Sequence, residues 1–313
     1  MPYVLSESIH YNPTDTKEAI DYIRQFALSV GWTVDTWVTG EPTQLQLWSP
    51  GYVAQELCYR IQVVDVDAQE QTLSLKGVVP GYRSTSFSVT DSVSTWGGNS
   101  TSYYNTSLTA SFFDALYLYG NKHFICAIFH VDPIAVITLQ IGSWDLYPSW
   151  WYYSPGINFV YNPQDNWGSS STYKWYNMTS NPTRWAPPMS QRWSISLGSN
   201  VWYEGAKRGS SDYACNYRPA ADISLGLEAG EFNRAKGILT YNSYTAKRMA
   251  FQSSFFVRNP SLGIWYPVGV SPFAWINGRN LTIGEVVKFG ADEYRCFPGV
   301  FSTYEHWQAY RIA

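Results

Sequence analysis

Two aspartates among tryptophans, Asp145 in SWDLYPSWWYY and Asp165 in NPQDNW, are the residues whose surroundings best suit chemistry. Glycoside cleavage needs two carboxylates flanking the scissile bond, with rings to stack the sugar. The sequence does not set the separation of these two, and ring-rich turns produce the same neighbourhood without catalysis. Histidine is the next candidate, with His10, His123, His130 and His306. His123 and His130 stand seven apart on one expected strand, which turns them to opposite faces and argues against a shared metal. Hydrogen-bonded structural histidines are the expectation. No GxSxG elbow, GxGxxG turn, phosphate-binding loop or HExxH helix occurs in the chain. The residues therefore point to a protein that is not an enzyme and uses no cofactor and no metal.

Cys58, Cys126, Cys215 and Cys296 lie dozens of residues apart without a CxxC pair. That spacing suits reduced core thiols better than a zinc site or a disulfide framework. Sequons at Asn99, Asn105, Asn177 and Asn280 mark polar turns. The opening MPYVLSESIHYNP has neither a basic nor an apolar signal region, so synthesis in a cytoplasm is expected. A net charge of −3 with scattered Lys and Arg offers no footprint for nucleic acid. The longest apolar run, Phe124 to Leu139, is broken by His130, Asp132 and Pro133 and is too short for a membrane helix, so membrane insertion is not expected.

Charged residues make up only 14% of the 313, while aromatics reach 18%. A typical chain is about 25% charged. The surface is then neutral and polar, and rings with a hydrogen-bonding tip suit contacts that are half dry and half wet. Subunit contact or sugar contact fits this composition.

The elements that would carry such a surface follow from periodicity. Ile20, Ile23, Ala27 and Val30 recur at helical spacing, Asp15 and Glu18 form a capping arrangement, and Gly31 follows as a C′ glycine, so a helix is predicted from about Thr16 to Val30. Beyond Trp32 the pattern changes to period two. Strands are expected at Thr43 to Trp48, Glu56 to Val64 and Gln71 to Val79, followed by long ring-pinned loops from Pro80 to Thr109. Ala115 to Tyr119 meets Lys122 to Val131 across Gly120-Asn121, and Asp132-Pro133 turns the chain into Ile134 to Ile141. This meander is apolar on both faces, as for a sheet covered on each side. Later strands are expected at Ile238 to Tyr244, Arg248 to Arg258, Ile264 to Val268 and Ala274 to Asn277, with a closing hairpin of Val286 to Phe289 and Glu293 to Phe297. The fold class is mainly β, with antiparallel sheets in a sandwich-like arrangement, one N-terminal helix and long aromatic-rich loops. Two lobes are expected, 1–112 and 113–313. No repeat of 20 to 50 residues is visible.

Residues 142–203 hold eight tryptophans, and proline and asparagine recur every few residues. Such a segment forbids long helices and most central strands, yet rings so dense need burial. Trp144, Tyr147, Trp150, Trp151, Tyr152, Tyr153, Trp167 and Trp175 are the candidate subunit or ligand contacts.

Several stretches together carry a family likeness. A helix running into GWTVDTW is followed by LQLWSPG, then by KHFICAIFHVDPIAVITLQIGSWDLYPSWWYYSPGINF. The chain closes on SFFVRNPSLGIWYPVGVSPFAWINGRNLTIGEVVKFGADEYRCFPG. In this order they resemble virion structural proteins of tailed bacteriophages, those of the tail or baseplate, over most of the chain outside Trp167 to Lys236. The resemblance implies a non-enzymatic assembly component without catalytic residues, whose partners are further copies of itself and neighbouring virion proteins, and whose location is the virion. A head-tail junction or capsid-surface protein is one alternative. The other is a carbohydrate-binding or glycan-cleaving host-recognition protein with a host surface glycan as partner.

Overall fold

A computed structural model describes residues 4–51, 57–65, 70–78, 104–109, 114–132, 135–142, 145–146, 159–161, 193–194, 202–205, 241–242, 247–248, 250–259, 264–298 and 307–313. In chain order the elements are β1 (Ser6–Tyr11), α1 (Thr16–Ser29), β2 (Thr33–Val38), β3 (Thr43–Ser49), β4 (Leu57–Asp65), β5 (Glu70–Val78), β6 (Tyr104–Thr109), β7 (Ala115–Asn121), β8 (Phe124–Asp132) and β9 (Ala135–Gly142). They continue as β10 (Asp145–Leu146), β11 (Phe159–Tyr161), β12 (Trp193–Ser194), β13 (Trp202–Gly205), β14 (Tyr241–Asn242), β15 (Lys247–Arg248), β16 (Ala250–Asn259), β17 (Ile264–Ile276), β18 (Val286–Phe289), β19 (Asp292–Pro298) and β20 (Trp307–Arg311). Every strand pairing is antiparallel, and α1 is the one helix among the described residues. The described residues are mainly β with a single helix, the N-terminal one, as the periodicity predicts.

The chain forms two compact units. The first contains α1 and two five-stranded sheets, β1-β7-β8-β9-β11 and β2-β3-β4-β5-β6. Helix formation follows the capping logic: the Asp15 side chain accepts from the Glu18 amide at 2.7 Å. At the other end Val30 is the C-cap and Gly31 takes φ +91°, a left-handed value that favours glycine. Between the caps, Ala19, Ile20, Ile23, Phe26 and Ala27 form the buried stripe. They share one core with Leu116, Leu118, Ile125, Ala127, Phe129, Leu139 and Ile141 of the first sheet, and with Leu45, Leu47, Tyr59, Ile61 and Val63 of the second. A fully buried aliphatic or aromatic side chain contributes about 1.5–3 kcal/mol, so this cluster is the main stabilising element of the unit. The sequence-based division at 112/113 runs through it, because residues on both sides of that point supply the same core.

One irregularity makes the second sheet fit. β2 pairs with β3 with a register shift between Val34 and Thr36, so Asp35 is an extra residue in the ladder. The shift puts Val34 and Trp37, three positions apart, on the same face, where both pack against the core.

The meander of β7, β8 and β9 forms in the expected order, with both faces of β7 and β8 buried. Tyr117, Tyr119, Cys126 and Ile128 lie opposite Leu116, Leu118, Ala127 and Phe129. Its first turn differs from the expectation. Gly120 and Asn121 belong to β7, Asn121 pairs with Phe124, and the two-residue turn is Lys122-His123. Asn121 Oδ1 accepts from the His123 and Phe124 amides at 2.8 and 3.0 Å, so asparagine starts the turn instead of occupying its centre. Gly120 is there for close approach: a Cβ would stand 2.5 Å from the Phe124 carbonyl oxygen.

In the second unit an eight-stranded sheet runs β12-β13-β16-β17-β20-β19-β18, with β10 also on β17, and β14 pairs with β15. The two strands expected within 264–277 are one, β17. Its Pro267 and Pro272 sit where the β16 register shifts, between Phe255 and Phe256 and between Gln252 and Ser254. A bulge is where a strand tolerates a residue without an N–H. Ala274, Ile276, Leu281, Tyr294, Cys296, Trp307 and Ala309 form the core of the unit. Of the strand expected at Ile238 to Tyr244, the described residues are Tyr241 and Asn242, which form β14; β1, β2 and β20 had no strand assigned to them, and β6 lies inside the segment read as loops.

Gly142 has φ +104°, and a Cβ on it would stand 2.2 Å from the His123 carbonyl oxygen. Backbone strain and a main-chain clash add there, so Gly142→Ala should cost about 2–4 kcal/mol in urea denaturation, against less than about 1 kcal/mol for the open position Gly40→Ala.

Candidate functional site

The candidate contact residues Trp144, Tyr147, Trp150, Trp151, Tyr152, Tyr153, Trp167 and Trp175 lie outside the described residues, as does Asp165. Asp145 begins β10, where it pairs with Val270 of β17. In the first unit, two groups of polar side chains converge among the described residues.

The first is built around the Lys122-His123 turn. Trp32, placed after the α1 cap, donates its indole N–H to the Asn121 carbonyl at 2.9 Å. Ser49, at the end of β3, donates its hydroxyl to the Lys122 carbonyl, and its own Oγ accepts from the Gly51 amide at 3.1 Å. From β4, the Tyr59 hydroxyl reaches the Gly142 carbonyl at 3.4 Å. The helix exit, β3, β4 and the last residue of β9 thus meet one hairpin end. His123 lies in the turn and not on the strand with His130. Burial holds it down to about 4, the adjacent Lys122 charge adds to the effect, and a backbone hydrogen bond with Gly51 opposes it. The neutral imidazole is a structural part of the turn.

The second group joins β1 to the start of α1. The His10 ring stacks on Tyr22 at 3.8 Å between centroids, and its Nε2 shares a 3.0 Å hydrogen bond with Ser8 Oγ. Tyr22 donates its hydroxyl to Glu18 at 2.6 Å, and the same carboxylate accepts from the Thr14 amide at 2.6 Å and the Thr14 hydroxyl at 2.7 Å. Those bonds, the Tyr22 hydroxyl first, hold Glu18 down at about 2, and the Tyr22 hydroxyl is raised in return. Burial lowers His10, against the pull of Glu18. The Asp15-to-Glu18 spacing signals a helix start in the sequence, but nothing there shows that Tyr22 and His10 would join it.

His130 is the third described histidine. It pairs with Ala115 and Val136, its carbonyl accepts from the Asp114 amide at 2.8 Å, and its buried Nε2 has no hydrogen-bond partner. Cys126 and Cys296 are buried thiols outside any disulfide, and burial pushes Cys296 up to about 12, which keeps it protonated and unreactive. Among the described residues no group of three or more His, Cys, Asp or Glu converges as metal ligands would. No helix among them is long and apolar enough to cross a membrane. The chemistry of both polar groups is positional: they satisfy turn and cap backbone groups and set where strands start. No protein-family model matches the chain, and no curated protein matches it in sequence.

The depressed His123 has a definite consequence. Its unfolded value is near 6.5, so below that pH the unfolded chain takes up a proton that the folded turn resists. Stability is complete above about 6.5 and declines as pH falls towards about 4. Urea midpoints measured across this window should fall more steeply for the wild type than for His123→Gln; parallel pH profiles would contradict the assignment.

Proposed function

We propose that the chain is a non-enzymatic structural component of a tailed-bacteriophage virion, placed in the tail or baseplate, where it contacts further copies of itself and neighbouring virion proteins. The observation that carries the reading is the imbalance between aromatic and charged residues, 18% against 14%, with eight tryptophans concentrated in 142–203. Repeated protein contacts rely on buried rings with hydrogen-bonding tips inside a polar rim. Low charge limits repulsion between copies brought together at high local concentration.

Support comes also from the ordered likeness of GWTVDTW, LQLWSPG, the meander and the GEVVKFGADEYRCF ending to tail and baseplate proteins. Antiparallel sheets with few charges are compatible with this role. A head-tail junction or the capsid surface would use the same chemistry at another station. Rings beside Asp145 and Asp165 support the other reading, host-glycan binding or cleavage, in which Trp150 and Trp151 stack on sugar.

Mass spectrometry of purified particles decides the first reading: the chain should be present at fixed stoichiometry to a known virion protein, and its absence would sink the proposal. On a glycan array the chain should give no specific signal. Retention abolished by Trp150→Ala with Trp151→Ala would transfer the assignment to glycan recognition.

A further inference from the structure

We propose that the outer edge of β1 is a self-association surface, on which a second copy of this chain adds its own β1 antiparallel and joins the two five-stranded sheets into one. β1 ends its sheet and pairs only with β7 among the described residues. Sheet edges present unpaired N–H and C=O groups, and proteins blunt them with bulges, lysine, proline or short length. Three edge strands have described side chains. β18 is four residues long and carries Lys288, whose side chain is exposed. β2 is interrupted at Asp35 by its register shift.

β1 has none of these protections. Its register runs without a break from Ser6 opposite Gly120 to Tyr11 opposite Ala115. Over Ser6–Tyr11 it holds no lysine and no proline, and its only charge is Glu7. Tyr11 is 67% exposed, the most open large hydrophobic residue described. Among the described residues no bulge, lysine or proline guards the edge over Ser6–Tyr11, and an edge of this length is suited to strand addition.

Self-complementarity selects a second copy as the occupant. Two antiparallel copies related by a two-fold axis through Ile9 keep every side chain on its own face, as an isologous contact requires. In that register Ile9 faces Ile9, Ser8 faces His10, and Glu7 faces Tyr11 in both directions. No like charges meet. Within the chain the Glu7 carboxylate already accepts from the Tyr119 hydroxyl at 2.9 Å, so a tyrosine is a partner it takes on this face. Moving the axis to Ser8 would set Glu7 against Ile9, a carboxylate against an apolar chain, which the Ile9 axis avoids. A strand from an unrelated protein would need a complementary sequence that β1 supplies to itself.

This surface deepens the self-association in the proposed function, but it is tested separately. Particle mass spectrometry addresses the virion reading, and the solution mass of the purified full chain addresses β1. Light scattering after size exclusion should show a dimer. Tyr11→Ala removes an exposed ring and should weaken the dimer about tenfold. Ile9→Lys places an edge charge opposite its own copy and should give a monomer with an unchanged circular dichroism spectrum. If Ile9→Lys fails to fold, mild oxidation of single-cysteine additions decides. Ile9→Cys should form a disulfide-linked dimer above the wild-type background, and Ser6→Cys, whose two copies lie far apart in this register, should not. A monomeric wild type, a dimer indifferent to Tyr11→Ala, or equal crosslinking at Ser6 and Ile9 would each overturn the proposal. So would a monomer that pairs only with a strand from another protein.

Discussion

The end of the β7–β8 hairpin is the constraint on which the first unit depends. A two-residue turn brings three main-chain carbonyls, of Asn121, Lys122 and His123, into a region crowded by other elements, and each is met differently. Trp32 satisfies the first, Ser49 the second, and Gly142 leaves room for the third by having no Cβ. A buried carbonyl left without a partner costs about 1–3 kcal/mol, so these contacts are obligations as much as attractions. Because the donors come from the helix exit and from β3, both are placed where the first sheet needs them. Ser49 of β3 belongs to the second sheet, so this one turn ties the two ladders together.

Packing follows from that tie. Leu45 and Leu47 are two residues apart and face the core, and the extra residue at Asp35 lets Val34 and Trp37 cover them. At the opposite end of α1, Glu18 closes Thr14 over the first turn while its Tyr22 partner stacks on His10. The helix is held at its start by polar contacts and at its end by Gly31 and Trp32. Few of these contacts are ion pairs, which agrees with the low charge of the chain. The described pairs, such as Lys17–Glu41 and Arg311–Asp292, lie near the surface, where each contributes at most about 1 kcal/mol.

Much of the fold was legible in the sequence. The α1 stripe, its cap at Asp15 and its stop at Gly31 are local features, written within one or two turns of the residues that use them. β3, β4, β5, β8, β9 and the closing hairpin announce themselves through alternating or continuous apolar runs. β1 and β20 do not. SESIHY and WQAYR have no clean alternation, because β1 is half-covered on both faces and β20 is buried almost throughout. The site was less legible. The rings chosen from composition lie in 144–175, whereas Tyr22, His10, Ser49 and Trp32 acquire their roles from partners far away in the chain.

The sequence by itself determined the class of the protein: mainly β, a capped N-terminal helix, few charges and many rings. These properties depend on composition and short-range periodicity, which act before any long-range contact forms. Only the tertiary structure decided that residues on both sides of 112 share one core, that Lys122-His123 makes the turn, and that His123 stays neutral inside it. It also decided which strands end their sheets. Each of these turns on pairing and close approach between segments distant in the chain, such as Trp32 with Asn121 at 2.9 Å, and periodicity carries no record of which segments meet.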